Sequence, residues 1–252
     1  MLKEQWENLK EAAKNEATEL DGLIAEWQKE YTTTGRRIFC AAECSNCCTL
    51  FVQSTLVEAL LVAEGLDALQ VYKLQDYVLR QRESLAGADD FLTVLRKQRS
   101  AIGPCPFLDS SGCCSIYAQR PLACRALLST KPAEWCSVDF STLDPLEKRL
   151  YLESLERSVV AYPVHYVAST QNAAQHAEAR VLKQMETLLP GGAISGNFPL
   201  LVYLAYTTNL AAQINNGMAK NWSQQVQSSA FFHPLLLNIL NDKQKLNPPL
   251  NI

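Results

Sequence analysis

All nine cysteines of this chain fall between Cys40 and Cys136. They stand at Cys40, Cys44, Cys47, Cys48, Cys105, Cys113, Cys114, Cys124 and Cys136. Cysteines used only as small apolar filler would be scattered over the buried faces of the whole fold. Confined to one stretch, they report a local chemical task. They also constrain the fold. Residues 103–136 are rich in Pro, Gly, Ser and Cys, with at most single helical turns near Ile116 and Pro121. Such irregular chain has few ladder hydrogen bonds and few core side chains to fix it. A metal centre supplies the missing constraint, because in small metal-dependent modules binding energy is also folding energy.

The rest of the composition decides how those thiols are read. The chain has 252 residues, 48% of them hydrophobic, enough for a core in one large domain or two small ones. A net charge of -3 gives no basic excess, so nucleic acid is not an expected partner. The opening Met-Leu-Lys-Glu-Gln-Trp-Glu interleaves acids with apolar residues, unlike a secretory signal. The most apolar stretch, 198–214, is interrupted by Thr207, Thr208 and Asn209, so no membrane span is expected. The expectation is a soluble cytoplasmic protein. Cytosolic thiols are mostly kept reduced, so a dense cysteine pattern points to metal binding or redox chemistry before disulfides.

Helical periodicity dominates outside the cysteine stretch. Trp6, Leu9, Ala13, Ala17, Leu20, Ile24, Trp27 and Tyr31 mark one amphipathic helix over residues 2–31, its apolar stripe suited to core contact or to a dimer seam. Thr55-Leu-Val-Glu58 forms a capping box that opens a second helix. Further helices are expected over 67–84, 91–98, 144–189 with a bend or break near Pro163, 199–218 and 234–243. Pro190-Gly-Gly192 is read as a helix stop. No alternating strand pattern stands out. The expected fold class is all-α, with helices packed around an irregular cysteine-rich metal-binding core. Three regions are expected: an N-terminal amphipathic helix (1–35), a cysteine cluster metal-binding domain (36–140) and a helical C-terminal region (141–252) packed on the same core.

The first group reads Cys-x3-Cys-x2-Cys-Cys. A two-residue gap lets a tight turn aim two sulfurs at one centre, in zinc knuckles and iron–sulfur loops alike. Further ligands are available from Cys105, Cys114, Cys124 and Cys136. No His lies between Cys40 and Cys136, so the set is all sulfur, which suits zinc or an iron–sulfur cluster and less often copper(I). In extended chain Cys47 and Cys48 would point to opposite sides, as would Cys113 and Cys114. One or two centres are arithmetically open. Arg36, Arg37, Arg120 and Arg125 could offset thiolate charge, and Tyr117 is expected to pack on the cysteine core. His165, His176 and His233 are read as surface or core residues. The Cys40-x3-Cys44-x2-Cys47 spacing also matches the radical S-adenosylmethionine signature, but Asn46 stands where those enzymes place an aromatic, and no strand–helix alternation follows.

The string Cys40-x3-Cys44-x2-Cys47-Cys48, Cys105-Pro-Phe-Leu and Cys114-Ser-Ile-Tyr-x-x-Arg-Pro-x-x-Cys-Arg125 resembles the YkgJ-type cysteine cluster family, CxxCxxCC, described as a zinc- or iron-chelating domain. The resemblance implies eight metal-binding cysteines: Cys40, Cys44, Cys47, Cys48, Cys105, Cys114, Cys124 and Cys136. Cys113 is then the extra one. Here three residues, not two, separate the first pair. The same pattern occurs in flagellin lysine N-methylases, which implies an iron–sulfur centre and methyl transfer from S-adenosylmethionine to a lysine amine. This chain lacks a Gly-rich strand-to-helix turn for that cofactor. Three functions follow: a metal-cluster protein for electron transfer or metal handling, a protein-lysine N-methyltransferase acting on a protein substrate, or a metal-stabilised helical module that binds a protein partner.

Overall fold

The computed structural model describes residues 2–41, 43–188, 192–218 and 222–239. Helix α1 (Leu2–Thr33) runs the full length expected of it. Its stripe of Trp6, Leu9, Ala13, Leu20 and Ile24 is buried. The first three enter the main core with helices α2 (Leu56–Ala63) and α8 (Phe198–Thr207). Leu20 and Ile24 enter a second cluster with Leu122, Ala126, Leu128, Val167, Ala174 and Ala177. Each fully buried leucine contributes about 1.5–3 kcal/mol, so the stripe sets how α1 docks. Ion pairs join its edges to the rest of the fold: the buried Lys10 with Glu64 at 2.5 Å, and Arg180 with Glu16 at 2.5 Å.

Helices α3 (Ala68–Ser84) and α4 (Phe91–Lys97) follow, capped by Asp67 and Asp90. The capping box at Thr55 is formed, with the Thr55 amide donating to Glu58 Oε2 at 2.8 Å. Short helix α5 (Leu122–Arg125) carries Cys124, and the single turn expected near Ile116 is the 3₁₀ turn Tyr117–Gln119.

The second half is more broken than its periodicity predicts. Helix α6 (Pro145–Glu153) and helix α7 (Ala168–Leu188) are separated by irregular chain containing the cis Tyr162–Pro163 bond. The stretch after Pro199 divides into α8 and α9 (Leu210–Asn215) at Asn209, whose backbone is left-handed (φ 52°). Helix α10 (Trp222–Gln227) follows. The helix expected over 234–243 is not formed where it is described: Leu237–Ile239 is a strand, and residues 240–243 lie outside the described residues, as do 190 and 191 of the predicted helix stop.

The all-α expectation therefore needs a correction. Strands β1 (Gln53–Thr55), β2 (Ile194–Asn197) and β3 (Leu237–Ile239) form an antiparallel sheet in that order. Gln53 pairs with Asn197, and Ile194 with Ile239. Strands of three or four residues, with polar β1 and the Ser-Gly-Asn of β2, are too short to show alternation. β2 is buried throughout, and Gly196 is required there: a Cβ would lie 2.3 Å from the Leu236 carbonyl oxygen. The centre of the fold is also apolar: the helices pack around hydrophobic clusters to which the cysteine segment contributes Phe107, Ile116, Leu122, Ala126 and Leu128, with Cys105 and Cys114 packed against the main one.

Two carboxyl groups are buried, Glu58 on α2 and Glu178 on α7. Burial raises the Glu58 carboxyl above its ordinary range, opposed by the Leu122 and Thr55 amides and by Arg125. Burial, then the neighbouring Glu58, raises Glu178 well above it, and Glu178 Oε1 has no hydrogen-bond partner. A carboxyl with a raised native pKa binds more protons folded than unfolded, so its contribution to stability falls as pH rises past the unfolded value of about 4.3. Glu178→Gln is expected to stabilise the protein by about 1–3 kcal/mol near neutral pH. The gain should shrink to nothing as pH falls below the ordinary glutamate range. Urea denaturation of both proteins across pH checks this; a gain that does not depend on pH would contradict it.

Candidate metal centre

Four segments bring the cysteines together, and a fifth packs beside them. The first is the loop from Phe39, whose amide donates to the Ser129 carbonyl at 2.9 Å, to the 3₁₀ turn Asn46–Thr49. Glu43 in this loop takes a left-handed backbone (φ 64°). The turn corrects the expectation for the adjacent pair. Successive side chains of a 3₁₀ turn stand about a third of a turn apart, not on opposite sides, and the Cys48 thiol is close enough to raise the pKa of Cys47.

The second segment is a hairpin. The Cys105 amide donates to the Cys48 carbonyl at 2.9 Å, Leu108 bridges to Cys114, and the Ser115 amide donates to Phe107 O at 2.8 Å. Asp109 closes its tip by accepting from the Ser111 and Cys113 amides at 2.8 and 2.9 Å. The tip touches the first loop: a Cβ on Gly112 would lie 3.4 Å from the Glu43 carbonyl oxygen. Gly112 also has a positive φ (83°) that favours glycine.

The third segment is α5. The Leu122 amide, an orphan donor of its first turn, is accepted by Glu58 Oε1 at 2.8 Å. One glutamate thus caps α2 and anchors the helix that carries Cys124. Arg125 fixes the same helix, donating to Arg120 O at 2.9 Å, to Ala118 O at 2.6 Å and to Asp21 of α1.

The fourth segment is the 3₁₀ turn Ala133–Cys136, which packs against Asn46–Thr49. An aromatic group of Trp135, Phe140 and Tyr151 holds it, with ring centroids 4.6 Å apart for both Trp135–Tyr151 and Phe140–Tyr151. The fifth, residues 164–167, carries no cysteine but supplies His165 and Tyr166. Bridges Ser129–Tyr166 and Val160–Val167 hold it in place.

Electrostatics shows which thiols share a neighbourhood. Burial pushes the Cys40 thiol up to about 11, the Ser129 amide opposes it, and Cys47, Cys136 and Cys44 add to the rise. Cys105 is pushed up to about 12 by burial, with Cys114 and Cys47 adding to the rise and the Phe107 amide opposing it. Burial also raises Cys124 well above the ordinary thiol, aided by Cys105, Cys47 and Cys114. Cys47 itself is raised by the adjacent Cys48 thiol and then by burial. Two neighbourhoods emerge: Cys40, Cys44 and Cys136 on one side, Cys105, Cys114 and Cys124 on the other. Cys47 interacts with both.

Arg120 opposes the rise at Cys47, Cys114 and Cys124, which places its charge beside the cysteines. The other arginines do other work. Arg36 pairs with Glu156, and Arg37 lies over Phe39. Tyr117 does not pack on the cysteine core: it is 62% exposed, with Arg120 stacked over its ring at 4.2 Å.

His165 was not expected in the site. It is 2% exposed, with Nε2 3.3 Å from Cys136 Sγ and Nδ1 2.8 Å from Tyr151 Oη. Burial, with Lys131 and Arg99 nearby, lowers its pKa to about 4. A sequence signal existed: Val164-His-Tyr-Val167 is β-favouring chain inside a stretch whose overall period suggested helix. His176 is exposed, and His233 Nδ1 accepts from the Leu235 amide in a turn.

The donors fit a thiophilic metal in chemistry and electrostatics. They are thiols drawn together and partly buried, where their anions would repel one another. A bound cation reverses that balance and favours the deprotonated form. Among the described residues the cysteines are free of disulfides. No three His, Cys, Asp or Glu side chains there form a group ready to hold one ion.

Fold and site together define a mostly helical protein with a convergent set of thiols. Residues 39–139 match the model of the family CxxCxxCC, described as a "putative zinc- or iron-chelating domain". The family recognised from the cysteine string is therefore the one whose model this segment matches. No curated protein and no solved structure matches the chain. No helix among the described residues is long and apolar enough to cross a membrane.

Proposed function

We propose that the chain holds an iron–sulfur centre through thiolates of Cys40, Cys44, Cys47, Cys48, Cys105, Cys114, Cys124 and Cys136, and works in electron transfer or metal handling. The observation that carries the metal reading is the convergence of these thiols from four chain segments, with Cys47 sensing both groups. A chain that merely buried cysteines for packing would not gather them where their anions repel. Two features favour a cluster over one zinc ion. The cysteines outnumber the four ligands of one tetrahedral zinc. Two pairs of them are also adjacent, and a cluster binds its cysteines through different irons.

When bound, the centre would supply electron storage. The protein's own residues would set its surroundings. Arg120 would offset thiolate charge. The Phe107 and Ile116 amides would donate to Cys105 and Cys114. The apolar core behind Cys105 would exclude water from that side. The test is protein purified without oxygen, with iron, sulfide, zinc and copper quantified beside its absorption spectrum. Broad absorption near 400 nm with matching iron and sulfide is the expected result. Stoichiometric zinc in a colourless protein would overturn the cluster reading and keep the metal site. A metal-free protein would overturn both.

A further inference from the structure

We infer that His165 is a nitrogen ligand of the metal centre, placed beside Cys136. This rests on the metal-binding reading above. The observation is the position of Nε2, 3.3 Å from Cys136 Sγ in an environment closed to solvent. The two donor atoms come from chain positions 29 residues apart. Bound to one ion at roughly 2.0–2.1 Å for nitrogen and 2.3 Å for sulfur, they would stand about as far apart as they do here.

The other ring nitrogen is held as a ligating histidine requires. A metal-bound imidazole gives its second N–H to an acceptor that fixes tautomer and ring orientation. Here Tyr151 Oη lies 2.8 Å from Nδ1 and can accept that hydrogen. With the proton on Nδ1, the Nε2 lone pair faces Cys136. Tyr151 is itself held in the aromatic group beneath Cys136.

The backbone ties this pair to a second cysteine. The Thr130 amide and hydroxyl donate to the His165 carbonyl at 3.1 and 2.8 Å. The preceding Ser129 amide donates to Cys40 Sγ at 3.2 Å. Cys40 and His165 thus hang from one short segment, 129–130, and Cys136 meets it through His165. The Tyr166 hydroxyl, buried beside Cys136, makes no well-aligned hydrogen bond, so the polar lining on this side is not yet satisfied.

The test is X-ray absorption at the edge of whichever metal the purified protein carries. The expected spectrum contains imidazole nitrogen as well as sulfur, with the outer-shell scattering of a ring. His165→Asn should remove the imidazole signature and lower metal retention against a chelator at least tenfold. Tyr151→Phe, which keeps the ring in place, should retain the signature and weaken retention roughly 10–100-fold, as loss of an outer-shell partner does. A sulfur-only shell in the wild-type protein would overturn the inference while leaving the metal-binding reading intact. A protein carrying no metal would overturn that reading and the inference with it.

Discussion

Replacing Arg125 by methionine is expected to lower stability by about 3–5 kcal/mol, the range for breaking a buried charged network by removing one partner. The methionine keeps most of the packing volume, so the loss reports the guanidinium. Arg125 is 7% exposed and serves three acceptors: Asp21, the Arg120 carbonyl and the Ala118 carbonyl. It also opposes the rise in the Glu58 carboxyl's pKa. Without it, two carbonyls lose a strong partner and a buried carboxyl loses its nearby cation. Asp21 is half exposed and can turn to water, so Asp21→Asn should cost under about 1 kcal/mol. The asymmetry between the two ends is the point of the test. For a chain near this length, ~3 kcal/mol corresponds to a fall in melting temperature of about 6–12 °C. Urea denaturation of the two variants checks it. Equal small losses would mean that the guanidinium acts as a surface group and that α5 is held by Leu122 and Glu58 alone.

The same network shows what sequence could and could not reveal. Local rules found the capping box at Thr55 and Glu58, because both partners lie within one turn. They could not find that Glu58 also accepts from Leu122, which is 64 residues away. The N-terminal helix was legible because its stripe repeats for most of its length. Trp6 lies in the main core and Trp27 packs against the second cluster, the core contact that the stripe suits, with Trp27 also stacked on Tyr31 at 4.7 Å between centroids. The sheet was not legible. Its strands are too short to carry a period, and they pair across 142 residues, from Gln53–Thr55 to Ile194–Asn197.

The site divides in the same way. Cysteine spacing marked the segment and its family. It did not reveal that the adjacent Cys47 and Cys48 sit on a 3₁₀ turn, because spacing alone does not distinguish a turn from extended chain. It also missed His165, since an isolated histidine carries no spacing rule. Only the pairing of residues 128–130 with 165–167 brings it to Cys136.

Cys124→Ala is expected to have the largest effect on the metal-loaded protein. Its half-buried thiol lies beside Cys105, Cys114 and Cys47, on a helix fixed by Glu58 and Arg125. Losing an outer-shell partner already costs about 10–100-fold in metal affinity, so losing a ligand should cost at least that much. Stability should follow, since metal-binding energy in such modules is folding energy, about 10–16 kcal/mol for structural zinc in small fingers. The melting temperature of the loaded variant should therefore approach that of wild-type protein stripped by a chelator. Cys113→Ala is the control. Its neighbour Cys114 packs on the main core, whereas Cys113 sits at the hairpin tip closed by Asp109. The Cys113 variant should keep its metal and its melting temperature. Metal content and thermal unfolding, each with and without chelator, decide the matter. If Cys124→Ala retains full metal, the centre belongs to the Cys40, Cys44, Cys47 and Cys136 side alone. The Cys105, Cys114 and Cys124 thiols would then be core packing, and a single site would replace the larger one.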